Sequence, residues 1–400
     1  MKKFDVTVIG AGIVGVATAR EIKKRFAHLN VLIIDKENKP AVHQTGRNSG
    51  VIHAGVYYSP GSLKAAFCQQ GLKDTVSFCQ GHNIPYQQCG KLIVATNPLE
   101  QQRLQDLYAR CQQNELQPVR LNQRQLQQKS PNTIGTEAIF IQQTGIVDYK
   151  VVTQSLLQEF KILGGESRFD FTLERVELDE QGISLFSGEN QVDSNYVINC
   201  TGVMTDRVAE MFGLDLDFRV IPFKGEYYRL PSKYNKLIEH LIYPVPDPSL
   251  PFLGVHLTKM IDGSITVGPN AVLAGAREGY GKFDFSLKDT FSSLAYSGFW
   301  RLLKQHKKSV LEELQHSFFR SGYLSQVHKY CPQITIDELL PYPSGIRAQA
   351  VGLDGTLLHD FKFVSSSSSL HVCNAPSPAA TSAMPIARNI VDQMMLKWDQ

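Results

Sequence analysis

The stretch Gly10-Ala11-Gly12-Ile13-Val14-Gly15 places three glycines at the G-x-G-x-x-G spacing. A β-rich run, residues 4–9, precedes it, and a helical pattern with a basic end follows over residues 13–26. In such a turn the first glycine allows the tight bend, the second lets a pyrophosphate approach the backbone, and the third lets helix pack on strand. The helix N-terminus adds N–H donors and a partial positive charge. The stretch therefore predicts a dinucleotide site, with NAD and FAD both open.

An acidic residue stands where this interpretation needs one. Asp35 follows the continuous apolar run Val31-Leu32-Ile33-Ile34, which is typical of a parallel strand buried on both faces. It lies 20 residues beyond Gly15, and a carboxylate at that distance can accept the ribose hydroxyls of an adenosine.

Composition sets broad limits on the rest. A chain of 400 residues predicts two or three domains, and 42% hydrophobic with 20% charged residues is ordinary for a globular enzyme. Lysine and arginine number 41 against 38 aspartates and glutamates, a net charge of +3, so no nucleic-acid partner is expected.

The cysteines and apolar runs indicate the compartment. Seven cysteines without a C-x-x-C pair favour a reducing, cytoplasmic setting without a disulfide framework, and no H-E-x-x-H spacing suggests a metal. We see no clear signal peptide and no apolar run of about 20 residues. The last helical pattern, residues 383–398, has one apolar face. We predict that this face packs on the core; contact with a membrane surface is the alternative.

Two segments of small and polar residues, 43–58 and 374–382, are suited to close backbone approach to a large planar ligand. With the N-terminal glycines they make the chain resemble the D-amino-acid-oxidase-like FAD oxidoreductases, and within them the L-2-hydroxyglutarate dehydrogenase/oxidase family. The matching residues extend over nearly the whole chain: 43–46, 48–53, 89–95, 144–149, 222–223, 225–227, 252–256, 268–273, 347–350 and 374–382. Two departures are Gly275-Ala276, where the family usually has Phe-Lys, and Lys224, where arginine is more usual.

The resemblance implies an α/β fold: a discontinuous, Rossmann-type FAD-binding domain and a substrate domain of mixed β-sheet plus helices. We expect residues 1–88, 146–216 and 345–400 in the first and residues 89–145 and 217–344 in the second. The cofactor is expected to be FAD, held by the following residues: Gly10, Gly12, Gly15, Asp35, Lys36, Thr45, Asn48, Ser49, Gly50, Val51, Gly202, Pro376, Ser377, Ala379, Ala380 and Thr381.

The implied reaction is oxidation of L-2-hydroxyglutarate to 2-oxoglutarate, with hydride transfer to flavin N5. A 2-hydroxy dicarboxylate needs cationic clamps and a proton acceptor, roles that suit arginine and histidine. We predict Arg347 as a carboxylate clamp and His256 or His53 as the base. A structural ion pair is the alternative for Arg347, a structural hydrogen bond is the alternative for either histidine, and orienting the isoalloxazine is a further alternative for His53. Tyr57, Lys224 and Tyr227 are weaker candidates for substrate contacts, and for each of them packing is the alternative role.

Electrons would pass to oxygen or to a quinone. If the acceptor is a quinone, peripheral contact of the protein with an inner membrane would be useful. Two other functions stay open because a fold does not fix a function. One is an amino-acid or amine oxidase of the same group, and the other is a flavin-binding assembly protein without turnover.

Overall fold

The computed structural model describes residues 2–248, 253–307, 317 and 320–398. The helices of these residues are α1 Ile13–Arg25, α2 Leu63–Gly81, α3 Pro98–Gln113, α4 Gln123–Lys129, α5 Tyr149–Ile162, α6 Thr205–Met211, α7 Leu287–Leu294, α8 Ser297–Gln305, α9 Arg320–His328 and α10 Ala383–Trp398. The strands are β1 Lys3–Ile9, β2 Val31–Ile34, β3 Val51–Ile52, β4 Tyr86–Gln87, β5 Lys91–Ala95, β6 Val119–Asn122, β7 Glu137–Ile141, β8 Gly145–Val147, β9 Glu166–Arg168, β10 Arg175–Asp179, β11 Gly182–Ser187, β12 Asn190–Asn199, β13 Phe218–Arg229, β14 Leu241–Pro244, β15 His256–Lys259, β16 Ile265–Gly268, β17 Val272–Leu273, β18 Leu340–Gly352, β19 Lys362–Ser365 and β20 Ser369–Asn374.

The first sheet carries the glycine turn. Its strands run in the order β10-β11-β12-β1-β2-β9, with β20 beside β12 and β19 beside β20. Strand β1 is parallel to both neighbours, so that Val8 lies between Ile33 and Ile198. Because β1, β2, β12 and β20 are parallel, their carboxyl ends meet at one edge of the sheet, where ligands bind in folds of this type.

The second sheet has the order β17-β13-β16-β15-β14-β5-β7-β6, with β18 beside β13. It is antiparallel except for the parallel pair β14 and β5. A small third sheet, β3-β8-β4, completes the α/β fold. Strand β18 pairs with β13 on both sides of residue 345, which we expected to be a domain boundary. The two-domain division itself stays a prediction.

Helix α10 packs against the first sheet and α1. Its residues Ile386, Ile390, Val391 and Met394 are fully buried in the same apolar cluster as Val16 of α1. For these four residues the prediction that this face packs on the core is confirmed, and their side chains are not available to a membrane. The side chain of Trp398, which the prediction places on the same face, lies outside the described residues. In the described part of the chain we find no helix that is both long and apolar enough to span a bilayer.

Candidate active site

The glycine turn leaves no room for side chains at two of its positions. Gly10 has φ +106°, and a Cβ there would lie 2.6 Å from the Cys200 carbonyl oxygen. A Cβ on Gly15 would lie 2.0 Å from the Gly10 carbonyl oxygen. Backbone contacts therefore fix the turn. Gly12 is the N-cap of α1, and the positive N-terminal end of the helix dipole faces the edge of the cavity.

Asp35 organises the same edge of the sheet. One of its carboxylate oxygens accepts from Ala11 N at 2.5 Å, and the other accepts from Glu37 N at 2.8 Å. Burial raises the pKa of Asp35, and the two N–H donors counteract that rise. Asp35 therefore holds the turn after β1 against the end of β2 and still lines the cavity.

One cavity of about 1200 Å³ runs from this turn to a basic, aromatic end. The predicted cofactor residues that line it are Gly10, Gly12, Asp35, Lys36, Thr45, Asn48, Ser49, Val51, Gly202, Pro376, Ser377, Ala379, Ala380 and Thr381. Gly15 and Gly50 do not line it. Gly15 is at the helix–strand contact, and Gly50, with φ +66°, would place a Cβ 2.6 Å from the Val147 carbonyl oxygen.

The wall of the cavity suits a large polar cofactor. Three atoms of lining residues, Arg47 Nε, Tyr57 Oη and Asn374 Oδ1, are buried with neither a hydrogen-bond nor an ion-pair partner in the structure as described. The loop before β3 is tied to the C-terminal segment, because His53 N donates to Thr381 Oγ1 and Tyr149 Oη lies 2.8 Å from the same atom. The two small-residue segments thus meet around one cavity that is larger than typical small-ligand pockets, and these residues fit FAD.

The far end of the cavity brings together four predicted residues: His53, Tyr57, His256 and Arg347. A fifth, Tyr227, joins them, and burial raises its pKa while the nearby Arg347 opposes that rise. The resemblance placed these residues on four separate segments of the chain, and the fold makes them neighbours along one wall.

His256 has a defined proton arrangement. Its Nδ1 lies 3.0 Å from the Gly254 carbonyl oxygen, which can only accept, so Nδ1 carries the proton and Nε2 has the free lone pair. Its ring stacks on Tyr243 with 4.0 Å between centroids. Burial lowers the pKa of His256 to about 3 and puts the pKa of His53 well below its ordinary value. Both imidazoles are therefore neutral at physiological pH.

Lys224 lies elsewhere. Its side chain is buried outside the cavity wall, and Nζ donates to the Gly281 carbonyl oxygen. Strand side chains alternate between faces, and the cavity is lined by Gly225 and Tyr227 of the same strand, so Lys224 points to the opposite face. A direct substrate contact for Lys224 is at odds with this position.

The loop that departs from the family pattern closes one side of the cavity. Ala276 is buried, and the next residue, Arg277, forms a fully buried ion pair with Asp206. Glu278 lines the cavity and pairs with Lys36. The neighbouring side chains provide the charges here, so a small residue at 276 leaves the loop anchored.

Sequence reasoning missed several lining residues. Tyr58, Lys64 and Tyr243 line the far end, and burial lowers the pKa of Lys64 to about 8. The short distance in sequence between Lys64 and the 43–58 segment is a local signal for a position near the cavity. Tyr243 lies on β14, far along the chain from every motif, and no local signal marks it.

The cavity joins the nucleotide-binding edge of a parallel sheet to an end lined by basic and aromatic side chains. This arrangement is the architecture of a flavin-type oxidoreductase. The family of FAD dependent oxidoreductases described as DAO matches residues 5–393. The chain belongs to this family.

The chain is also similar to individual proteins. L-2-hydroxyglutarate dehydrogenase of Escherichia coli K12 is 46% identical over 392 residues, 98% of this chain and 93% of that protein. The mitochondrial L-2-hydroxyglutarate dehydrogenase of Homo sapiens is 41% identical over 415 residues, 99% of this chain and 89% of that protein. Among solved structures, L-alpha-glycerophosphate oxidase of Mycoplasma pneumoniae with FAD bound has a TM-score of 0.81 at 19% identity, covering 99% of this chain and 95% of that one. The last comparison bears on the fold alone.

Asp35 provides a test of the nucleotide edge. Replacing Asp35 by alanine removes the acceptor for Ala11 N and the predicted ribose contact, each worth about 1–3 kcal/mol for a charged hydrogen bond. We expect FAD to bind at least tenfold more weakly, as measured by quenching of flavin fluorescence. Asp74→Ala is the control, since Asp74 pairs with Arg388 away from the cavity and should leave FAD affinity unchanged. Parental affinity in Asp35→Ala would contradict the assignment.

Proposed function

We propose that this chain oxidises L-2-hydroxyglutarate to 2-oxoglutarate. The observation that carries the proposal is that the cavity that begins at the nucleotide edge also holds Arg347 and two neutral histidines. The likeness to L-2-hydroxyglutarate dehydrogenases at 46% identity supports this substrate. FAD, when bound, supplies the two-electron acceptor for the hydrogen that leaves the substrate carbon.

The residues of the chain position the substrate and take the hydroxyl proton. Arg347 can bind a carboxylate bidentately, and Lys64, at the same end, adds a second cation. Tyr57 and Tyr227 complete the aromatic wall that excludes water from the reacting carbon.

His256 is the better placed of the two candidate bases. Because Nδ1 donates to the Gly254 carbonyl oxygen, Nε2 can accept the substrate hydroxyl proton without a change of tautomer. His53, on the loop tied to Thr381, then serves to orient the ligand.

Substitution of the histidines tests these roles. We expect His256→Gln to slow flavin reduction by about 10²–10⁴-fold in anaerobic single turnover, because a positioned base contributes that much. We expect a smaller loss in His53→Gln. His328→Gln is the control, since His328 contacts the Ile334 carbonyl oxygen and does not line the cavity. If both cavity variants reduce flavin at the parental rate, the histidine-base proposal is wrong.

The lowered pKa of His256 sets the pH dependence of the reaction. A histidine with a lowered pKa stays in its base form until the pH falls to that lower value, about 3 for His256. The acid limb of kcat/KM, which reports the free enzyme, should therefore lie well below pH 6.5. A limb at or above pH 6.5 that disappears in His256→Gln would contradict the neutral, buried base.

We propose that electrons pass to a membrane quinone from a surface that we call the apolar–basic surface: Phe283, Phe285, Leu287, Phe291 and Trp300. Leu287 and Phe291 share one face of α7, with 80% and 74% of their side chains exposed, and Phe283 is 82% exposed. Exposed aromatic clusters of this kind mark interaction sites.

Two observations favour an anionic membrane as the partner. Residues 282–307 contain five lysines and arginines and two aspartates, whereas the whole chain is almost balanced. Apolar side chains rimmed by cations are typical of proteins that lie on anionic bilayers. Lys288, on α7, also lines the cavity, so the surface adjoins the cavity that is expected to hold FAD. Contact at this surface would be peripheral.

Vesicle binding tests the surface. FAD-loaded protein should sediment with phosphatidylglycerol vesicles, and the triple variant Phe283→Ser, Leu287→Ser, Phe291→Ser should bind at least about 100-fold more weakly, because each buried side chain contributes about 1.5–3 kcal/mol. Ile162→Ser is the control, since Ile162 is 77% exposed on α5, outside the surface. Equal sedimentation of the triple variant, or a surface that joins two copies of the chain, would contradict the proposal.

A further inference from the structure

Lys91 is a buried lysine that has no part in the reaction proposed above. It opens β5 in the second sheet, only 1% exposed, paired with Leu241 on one side and Ile141 on the other. Among the described residues, no carboxylate is one of the groups whose charge acts on its ammonium. Burial lowers the pKa of Lys91 to about 8, so the side chain keeps its charge at neutral pH.

The ammonium lies behind the wall of the cavity. Nζ is 4.2 Å from the ring centroid of Tyr243 and 5.2 Å from that of Tyr57, and both rings line the cavity while Lys91 does not. Tyr243 in turn stacks on His256. The order from the sheet to the cavity is therefore cation, tyrosine ring, imidazole. A cation held on ring faces is stabilised without a hydrogen bond.

The histidines face several charges from different elements. His256 is under the field of Lys91 on β5 and of Arg347 on β18, with Tyr243 on β14 packed against it. His53 is under the fields of Lys91, of Lys64 on α2 and of His256. Lys91 is the cation that acts on both imidazoles. Its charge opposes their protonation, and it adds positive potential at the end where a dicarboxylate would bind.

We propose that Lys91 is a positioning residue: its ammonium, held behind the Tyr57 and Tyr243 rings, adds to the burial that already disfavours a charge on His53 and His256, and it strengthens the binding of a dianionic substrate. The second half of the proposal rests on the proposed function. The first half concerns two imidazoles of this chain and holds for any substrate.

Imidazole titration tests the first half. FAD-loaded protein labelled with ¹⁵N-histidine would be titrated by NMR from pH 7.5 to 4.5, with His256→Gln and His53→Gln used to assign the two signals. In Lys91→Met we expect the onset of imidazole protonation to move up by about one pH unit, because a unit charge that opposed protonation is gone. For His256 this means that about a quarter of the imidazole is protonated at pH 4.5 in the variant, against about a thirtieth in the parent. Lys91→Arg keeps the charge and should titrate like the parent.

Ligand affinity tests the second half. Binding of 2-oxoglutarate, followed by perturbation of the flavin absorbance, should be about tenfold weaker in Lys91→Met and within about twofold of the parent in Lys91→Arg. Lys129→Met is a matched control. Lys129 lies 3.9 Å from the Phe140 ring, which contacts His240 in the same sheet, away from the cavity. It should leave both cavity imidazoles and the affinity unchanged.

The outcomes separate the two proposals. Parental titration and parental affinity in Lys91→Met would overturn the role of Lys91. A tenfold loss in Lys91→Arg would overturn it as well, because shape rather than charge would then matter, and this variant decides the case even if the methionine variant does not fold. If the parent binds no dicarboxylate, the proposed function fails, while the imidazole titration still decides whether Lys91 controls the histidines.

Discussion

Replacing Gly15 by valine should abolish FAD binding. A Cβ at this position lies 2.0 Å from the Gly10 carbonyl oxygen and 3.2 Å from Cys200 Cβ, so helix α1 must move away from β1. Backbone displacement of this kind costs about 3 kcal/mol or more, and it opens the turn that the pyrophosphate would contact. The flavin content of the purified protein, read from its absorbance, should fall to near zero, and thermal denaturation should begin at a lower temperature.

Gly81→Ala is the matched control for this variant. Gly81 lies at the end of α2, its φ is not in the left-handed region, and a Cβ there meets nothing within 4 Å. It should retain parental flavin content and stability. A Gly15→Val protein with full flavin content would contradict the assignment of this turn to the cofactor.

Replacing Arg347 by methionine should have the second large effect. A bidentate pair with a carboxylate is lost, and a buried carboxylate without its partner costs about 3–5 kcal/mol. We expect kcat/KM for L-2-hydroxyglutarate to fall by about 10²–10³-fold, with FAD content unchanged. Steady-state kinetics with flavin content measured in parallel would separate the two effects.

Two further variants make the arginine result specific. Arg347→Lys keeps the charge but loses the planar fork, so it should recover only part of kcat/KM. Arg388→Met removes an arginine that pairs with Asp74 at the protein surface and should leave the kinetics unchanged. Parental kcat/KM in Arg347→Met would show that another cation binds the carboxylate.

The sequence predicts the nucleotide edge because the residues that form this edge are constrained by short-range spacing along the chain. The spacing of Gly10, Gly12 and Gly15 and the distance to Asp35 follow from the geometry of one strand–turn–helix–strand unit. The small and polar side chains of residues 43–58 and 374–382 predict that both segments contact one large ligand, but they do not predict which atoms of the two segments meet. The structure brings the two segments together at Thr381.

The substrate end was less predictable because it depends on pairing between distant strands. Lys91 and Tyr243 belong to β5 and β14, whose parallel pairing joins segments about 150 residues apart, and no local pattern encodes that register. The position of Lys224, in contrast, follows from a local pattern. The alternation of side chains along β13 would have directed it away from the cavity once Tyr227 was placed inside.

This chain should bind FAD and reduce it with L-2-hydroxyglutarate. The most direct test is anaerobic addition of L-2-hydroxyglutarate to the FAD-loaded protein while the visible absorbance of oxidised flavin is recorded. We predict that the absorbance bleaches and that 2-oxoglutarate appears in equal amount. Bleaching by amino acids but not by L-2-hydroxyglutarate would contradict the claim in favour of an amino-acid oxidase, and the absence of bleaching by any small acid or amine would contradict it in favour of a flavin-binding protein without turnover.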